Sequence, residues 1–418
     1  MIKQSIILFF FTFPLLLMAA NKGDLSFQSL YYPIDNDKKD YEEILQIYLE
    51  QDYESTTWWA KLSLNAGLNR TYKENSYLFI NDGYIAKTFN SSFVNIKLGY
   101  QIFNWSKLES YNPTDVINAR IFSAEVENLE KKGELSFSFS KEFSDSTLSF
   151  YLFPFFENNF YPSDNSRLSL AKVAQESFWV AKDKEPQNQK EKIQFGLSYD
   201  FLYGQGEYFL FGLKHINRRQ PLFGFHKFSE VGTNLIPNGD FSAYYFEVID
   251  IGFSGAISGE NKVFKFELLY TDFLDEESPI FNGERLVTKN DYGHVSIGYE
   301  YTYQYDNGLS SDFFVEYHRV SGVSQQEAWE INIFQNDLFF GKRLRFNDQW
   351  AREIYFGHFL DLERKQEGIG SLKYEQRLSN FWRASVAYRW VIYDQQDSKG
   401  LALLEDNDSL HFELKRFF

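Results

Sequence analysis

Apolar and polar residues alternate strictly in short segments along most of this chain. In one such segment Val94, Ile96 and Leu98 alternate with Asn95 and Lys97. A period of two predicts a β-strand with one apolar and one wet face, because successive side chains of a strand point to opposite sides. The chain is therefore predicted to be all-β. The predicted strands cover residues 58–66, 77–87, 94–102, 134–141, 148–156, 193–202, 208–216, 241–253, 263–271, 292–303, 312–319, 329–346, 354–362, 369–378, 382–392 and 408–418.

One of these strands, residues 329–346, changes phase near Gln335-Asn336-Asp337, where the apolar residues move from odd to even positions. We interpret the change as a β-bulge within a single long strand, because a bulge inserts one residue into the alternation. A tight hairpin at this point would make the strand count odd. The bulge gives about 16 strands, and an even number is what a single-chain bacterial transmembrane barrel requires.

The connections between predicted strands differ at the two strand ends. Turn-forming residues such as Asn90-Ser91, Gly204-Gln205-Gly206 and Asp306-Asn307-Gly308 join every second pair of strands. The other connections include long polar segments at residues 157–190, 217–240, 272–290 and 394–407. Short periplasmic turns and long extracellular loops are typical of an antiparallel outer-membrane β-barrel.

The composition supports a membrane barrel and excludes several other classes. Hydrophobic residues make up 44% of the chain, yet the mean hydropathy is -0.41, and aromatic residues at 19% account for the difference. Such residues suit a lipid-facing surface and its interfacial girdles. A net charge of -16 argues against a nucleic-acid partner. With no cysteine and six histidines at no metal-ligand spacing, we expect neither a metal site nor a cofactor.

The N-terminal part is predicted to lie outside the barrel. Residues 1–20 have a lysine, an apolar run and small residues at their end, which indicates a cleaved signal peptide. Residues 21–57 are polar except for 41–51, where apolar side chains at helical spacing predict a short amphipathic helix. This segment is interpreted as a lumenal plug or a periplasmic element, and residues 58–418 as the barrel.

The chain ends on a segment in which Leu410, Phe412 and Leu414 alternate with polar residues before the terminal Phe418. It resembles the closing strand of Gram-negative outer-membrane β-barrels, although Arg416 replaces an apolar residue of that pattern. The resemblance implies that Phe418 is an assembly signal read by the barrel-assembly machinery. It also implies residence in the cell outer membrane, in contact with outer-membrane lipid and lipopolysaccharide.

A second resemblance lies in residues 99–121. Gly99-Tyr100-Gln101, Trp105 and the run Asn112-Pro113-Thr114-Asp115 resemble a group of long porin-like barrels, in which Tyr100, Ser106 and Ile121 of this chain would be Arg, Gly and Asp. The resemblance implies a channel-like protein. Asn112, Asp115 and Arg120 are candidates for a compact loop that folds into the lumen, and a well-capped surface loop is the alternative.

If the alternation is correct, basic residues of the last strands face the lumen, where fixed charge tunes solute preference. The equally weighted alternative is that lumenal charges of opposite sign pair with one another and stiffen the barrel wall. The pore-lining candidates are Lys97, Gln101, Arg343, Arg345, Lys373, Arg377, Arg383 and Arg389.

The predicted function is passive or substrate-selective diffusion of small solutes through an outer-membrane channel. The alternatives are an N-terminally plugged transporter of hydrophobic compounds and a structural or adhesive surface barrel. An outer-membrane hydrolase would need a base beside a nucleophile, and His318 with Ser321 nearby, or His215, are the candidates. We do not expect an enzyme. The sequence leaves solute, ion preference and oligomeric state open.

Overall fold

The computed structural model describes most of the chain beyond its N-terminal segment. The described residues are 22–34, 38–122, 129–163, 165–169, 192–219, 221–225, 228–232, 234–237, 241–274, 280–281, 284–285, 289–364, 367–393, 401 and 404–418. The predicted signal peptide lies outside them. So do parts of the four long connections expected from the sequence.

The described strands form one closed antiparallel barrel of 18 strands. Each strand pairs with the next along the chain, and the last strand pairs with the first through Leu25↔Arg416 and its neighbours. In chain order the strands are β1 Lys22–Tyr31, β2 Tyr41–Glu54, β3 Trp58–Asn69, β4 Tyr77–Phe89, β5 Val94–Gln101, β6 Glu134–Glu142, β7 Ser146–Phe153, β8 Gln194–Tyr203, β9 Gly206–Ile216, β10 Glu247–Ser258, β11 Lys262–Phe273, β12 Tyr292–Gln304, β13 Ser310–Ser321, β14 Asn336–Arg345, β15 Glu353–Asp361, β16 Gly368–Arg377, β17 Trp382–Ile392 and β18 Ser409–Phe417. The all-β barrel is thus confirmed, whereas the count of about 16 is wrong.

The two additional strands come from the segment that was predicted to be a plug. Residues 41–51 belong to β2, which pairs with β1 on one side and β3 on the other, so the predicted helix is wrong. Leu45 and Leu49 satisfy a helical spacing and a strand alternation at once. Glu42, Gln46 and Glu50 lie on the inner face of β2, and the backbone pairing on both of its edges shows that the segment is a strand.

The predicted bulge at residues 329–346 is also wrong. A helix, α1 Gln325–Ile331, precedes β14, and the Ser324 side chain accepts a hydrogen bond from the Glu327 backbone N–H. The change of phase therefore marks a junction between helix and strand. Similarly, the predicted strand 241–253 divides into a ribbon strand at 241–244 and the barrel strand β10.

Short ribbons outside the barrel wall complete the secondary structure. They are Arg120–Ile121 with Glu130–Lys131, Leu222–Phe225 with Phe241–Tyr244, Phe228–Val231 with Asn234–Pro237, and Ile280–Phe281 with Glu284–Arg285, besides a 3-10 turn at Lys73–Asn75. No helix of the described residues is long and apolar enough to cross a membrane.

The two faces of the wall differ in chemistry. On the outer face large apolar side chains such as Leu98 and Leu197 are 60% and 54% exposed. On the inner face Ser198, Ser254 and Ser296 are buried. Because strand residues alternate between the faces, the barrel is apolar outside and largely polar inside.

The connections at the end of the barrel where β1 begins and β18 ends are all short. They are residues 55–57, 90–93, 143–145, 204–205, 259–261, 305–309, 346–352 and 378–381. The turns expected from the sequence fall in these ranges, except that Gly206 is the first residue of β9. The opposite end carries the segment between β5 and β6, which enters the barrel.

Candidate functional site

Residues 102–119, called here the inward loop, leave β5 and return close to their starting point. Asn118 closes the neck of the loop: its Oδ1 accepts from the Phe103 N–H at 2.7 Å, and its Nδ2 donates to the Gln101 and Lys132 carbonyls at 3.0 and 2.8 Å. One buried amide side chain therefore joins the two ends, so that the residues between them form a compact excursion.

The apolar side of the inward loop packs on the inner wall. The Trp105 ring lies 4.6 Å from Phe211 and 5.0 Å from Phe209 between ring centroids, and Phe103 contacts Tyr151 of β7 edge to face. These rings belong to one buried cluster. The sequence contains a signal for this packing, because β9 is apolar on both faces. A strand whose inner face met only water would alternate between apolar and polar residues.

Two carboxylates of the wall accept hydrogen bonds from the backbone of the inward loop. Glu267 of β11 receives the Lys107 N–H at 2.6 Å and the Thr114 N–H at 3.1 Å. Glu316 of β13 receives the Glu109 N–H at 2.7 Å. The middle of the loop is thus attached across the barrel from its origin at β5. Sequence reasoning missed both residues, since nothing in a strand pattern distinguishes an anchoring carboxylate from a lumenal one.

The candidates for the inward loop lie in and beside it. The Asp115 carboxylate is buried and pairs with Arg120 and Lys131, each at 2.6 Å. Burial lowers the pKa of Lys131, and the Asp115 carboxylate acts against that shift. The Asn112 carbonyl accepts from the Arg219 guanidinium at 3.3 Å. These contacts join the loop to the ribbon that follows it and to the connection after β9.

The chain that follows the inward loop is attached to the sector formed by β2, β3 and β4. The Glu130 carboxylate accepts from Gln46 Nε2 and Asn65 Nδ2, both at 2.9 Å, and from the Tyr77 hydroxyl at 3.4 Å. The segment between β5 and β6 therefore contacts the wall on two sides, here and at β11 and β13.

A second connection also points inward. Phe334, just before β14, stacks on Phe359 of β15 at 4.0 Å and lies 5.4 Å from the Tyr111 ring of the inward loop. The two inward segments therefore meet through aromatic contacts above the same part of the wall.

Most basic pore-lining candidates of the late strands are ion-paired with inner-face carboxylates. Arg345 pairs with Asp312 at 2.5 Å, and Lys373 and Arg383 each lie 3.0 Å from Glu375. Arg343 contacts Glu109 of the inward loop and Glu353. These pairs neutralise much of the basic cluster that the sequence indicates.

The remaining candidates have different surroundings. Lys97 lies over the Tyr84 ring at 4.4 Å, and neither Lys97 nor Arg377 has a carboxylate within 4.0 Å in the described part of the chain. Gln101 is buried and bonds to Ser136 at 2.7 Å. Arg389 is also buried on the inner face.

The candidate hydrolytic residues are not arranged as the sequence suggested. His318 is fully buried and contacts Ser296 through Nδ1 at 2.8 Å and Ser110 through Nε2 at 3.2 Å. Ser321 instead donates to the Gly293 carbonyl, because residues three apart in a strand point to opposite faces. His215 is buried against Asp250 at 2.8 Å. Among the described residues no group of three or more His, Asp or Glu side chains could hold a metal ion.

Comparisons with known proteins give structural neighbours only. No family model matches the chain, and no curated protein matches it. Among solved structures, OccK9 (OpdG) of Pseudomonas aeruginosa is similar over 95% of this chain and 96% of its own, with 8% identity and a TM-score of 0.49. OpdQ of the same organism is similar over 95% of this chain and 97% of its own, with 10% identity and a TM-score of 0.49. OmpF of Salmonella typhi, in complex with daunomycin, is similar over 95% of this chain and 96% of its own, with 9% identity and a TM-score of 0.46. At these values the likeness carries no functional argument, and the closed barrel rests on its strand pairings.

Proposed function

We propose that this protein is an outer-membrane channel for passive diffusion of small hydrophilic solutes. The observation that carries the proposal is the inward loop: it extends from β5 to the inner faces of β11 and β13, where Glu267 and Glu316 accept its backbone N–H groups, as a segment that narrows a lumen would. A barrel of this size encloses an aqueous lumen unless it is plugged.

The outer face supports a membrane location. Large apolar side chains are exposed on strands around the circumference, and exposing so contiguous an apolar surface to water would be unfavourable. Among them are Leu98, Leu197, Ile251, Phe264, Leu372 and Phe412. We assign the end with the short connections to the periplasm, and outer-membrane lipid, lipopolysaccharide and the assembly machinery as partners.

The premise of a plugged transporter of hydrophobic compounds was an N-terminal plug. Residues Lys22–Tyr31 and Tyr41–Glu54 lie in wall strands instead, which argues against that premise. The lumenal charges favour hydrophilic solutes, because carboxylates and cations alternate on the inner face of the late strands. Near-neutral pairing there favours weak ion preference over strong anion selectivity.

Planar-bilayer recording of the purified, refolded protein tests the proposal. We expect discrete conductance steps in potassium chloride, and permeation of small neutral sugars into liposomes that contain the protein. Folded, heat-modifiable protein that inserts into bilayers without conducting would overturn the channel assignment.

A further inference from the structure

We infer that Glu267 and Glu316 are positioning residues that set the aperture of the lumen by holding the inward loop against the wall. The inference rests on the proposed channel function. It concerns two inner-face carboxylates, on β11 and β13, that sequence patterns do not distinguish from lumenal charges.

Glu267 uses both of its carboxylate oxygens on the inward loop. Its Oε1 accepts from the Lys107 and Leu108 N–H groups at 2.6 and 3.2 Å. Its Oε2 accepts from the Thr114 N–H at 3.1 Å and from the Thr114 hydroxyl at 2.7 Å. One side chain therefore ties together two points of the loop that are several residues apart, and fixes both to the wall.

Glu316 holds the segment between those points. Its Oε1 accepts from the Glu109 N–H at 2.7 Å, and its Oε2 accepts from the Ser110 N–H at 3.1 Å and from the Ser110 hydroxyl. Together the two carboxylates receive hydrogen bonds from Lys107, Leu108, Glu109 and Ser110 in succession. No other stretch of the loop has its backbone N–H groups bound so continuously by wall side chains in the described residues.

Neither carboxylate has a lysine or arginine partner within 4.0 Å among the described residues; the nearest cationic candidate is His318, 3.6 Å from Glu316. The two residues are 0% and 2% exposed. A buried carboxylate is costly unless it is hydrogen-bonded, and here the loop supplies nearly all the donors. Wall and loop therefore stabilise each other, and withdrawal of the loop would remove these donors from both carboxylates and leave His318 beside Glu316.

The side chains of the same loop segment also contact the wall: Leu108 and Ser110 are buried, and Lys107 Nζ lies 2.9 Å from the Glu207 carboxylate of β9. Asn104 is exposed, and the Glu109 side chain reaches Arg343 of β14. Because residues 107–110 are bound to the inner wall through both backbone and side chains, any displacement from Glu267 or Glu316 changes how far the loop extends from the wall into the barrel.

The test substitutes each anchor with its isosteric amide. Gln has a donor in place of one oxygen, so Glu267→Gln sets an NH₂ group against one pair of loop donors. Glu300→Gln is the matched control, since Glu300 lies on the inner face of β12, pairs with Lys265 at 2.8 Å and, among the described residues, makes no hydrogen bond or ion pair with the loop. Single-channel conductance and the size limit for neutral sugars are compared among Glu267→Gln, Glu316→Gln, Glu300→Gln and the unsubstituted protein.

A cross-link reports loop docking without relying on conduction. A Cβ at Gly298 would lie 2.6 Å from Leu108 Cδ2, so Leu108→Cys with Gly298→Cys places two thiols at the contact between loop and wall. The chain has no other cysteine. We expect fast oxidation of this pair with Glu300→Gln and slower, incomplete oxidation with Glu267→Gln or Glu316→Gln.

We expect both anchor variants to have a higher single-channel conductance, more open-channel noise and a larger size limit for neutral sugars than Glu300→Gln. The oxidised cross-link should restore the values of the unsubstituted protein. Cross-linking as fast in the anchor variants as in Glu300→Gln would overturn it, whatever the conductance. If the cross-link forms fast in the protein with both anchors intact but that protein never conducts, both the aperture role of the anchors and the proposed channel function would be overturned.

Discussion

Gly23 and Phe418, near the two ends of the chain, exchange backbone hydrogen bonds: each N–H donates to the other's carbonyl at 3.1 Å. The Phe418 ring also covers Gly23, where a Cβ would lie 2.6 Å from its Cε2 atom. This contact closes the barrel one step beyond the last pair in the register of β1 and β18.

Closure is therefore expected to depend on both residues. Gly23→Ala should displace the Phe418 ring and lower the yield of folded barrel, and deletion of Phe418 should lower it further, because two hydrogen bonds and the ring contact are lost. The measurement is the heat-modifiable fraction on a gel after refolding. Gly212→Ala on β9 is the control, since a Cβ there meets nothing within 4 Å; equal yields for all variants would contradict a closing role.

The wall strands at the N-terminus lead to a second prediction. Deletion of residues 22–54 removes β1 and β2 and leaves one edge of β18 and one edge of β3 unpaired. We expect no folded barrel from this deletion, because unpaired strand edges in lipid leave backbone groups unsatisfied. If the shortened chain folds and conducts, residues 22–54 are dispensable and the plug interpretation returns.

The alternation of β8 leads to a third prediction, on the two faces of the wall. Leu197 is exposed on the outer face, whereas Asp200 lies on the inner face of the same strand. Leu197→Arg should lower the free energy of unfolding in lipid by about 2–4 kcal/mol, because arginine would meet hydrocarbon near the midplane. Asp200→Arg should have little effect. Denaturant titration in lipid vesicles measures the free energy of unfolding of both variants. Equal losses would contradict the assignment of Leu197 to the outer face and Asp200 to the inner face.

The sequence predicted the faces of the wall well, because one period of two governs nearly every strand. It failed where two periods coincide. Tyr41, Ile44, Leu45 and Tyr48 satisfy a helical spacing, and only the pairing of β2 with β1 and β3 shows that they lie in a strand. Pairing is a long-range property that a local pattern does not contain.

The candidate site was less predictable than the fold. Turn chemistry indicated a compact segment around Asn112 and Asp115, and Trp105 lay within the resembling pattern. The partners of that segment, Glu267 and Glu316, are separated from it by more than a hundred residues in the chain. Likewise the basic residues of β14 to β17 formed a visible cluster, while the carboxylates that neutralise them are spread among several strands.

Neutralisation of that cluster leads to a fourth prediction. Arg383→Glu, alone or with Arg389→Glu, should leave the barrel folded and shift the reversal potential toward cations. Arg383 lies 3.0 Å from Glu375, so the exchange Arg383→Glu with Glu375→Arg keeps the local charge and should return the reversal potential toward its original value. A shift that persists in the exchanged variant would mean that position, not net charge, controls selectivity.

The last prediction concerns a buried ion pair beside the neck of the inward loop. Arg218 Nη2 lies 2.9 Å from Glu134 Oε1, and that oxygen also accepts the Ala119 N–H at 3.1 Å. The two side chains are 4% and 0% exposed. Burial lowers the pKa of Arg218, and the Glu134 carboxylate acts against that shift. The pair therefore joins the connection after β9 to the end of the inward loop.

Removing one partner should cost more than removing both. Arg218→Met leaves the Glu134 carboxylate buried without its cation, and we expect a loss of roughly 3–5 kcal/mol in the free energy of unfolding. Glu134→Gln keeps an acceptor for the Ala119 N–H, so its combination with Arg218→Met should recover a large part of that loss. Denaturant titration of the two single variants and the double variant gives the coupling energy. Additive losses would show that Arg218 stabilises the barrel through its packing on Phe156, whose ring lies 4.5 Å from the guanidinium, and not through its charge.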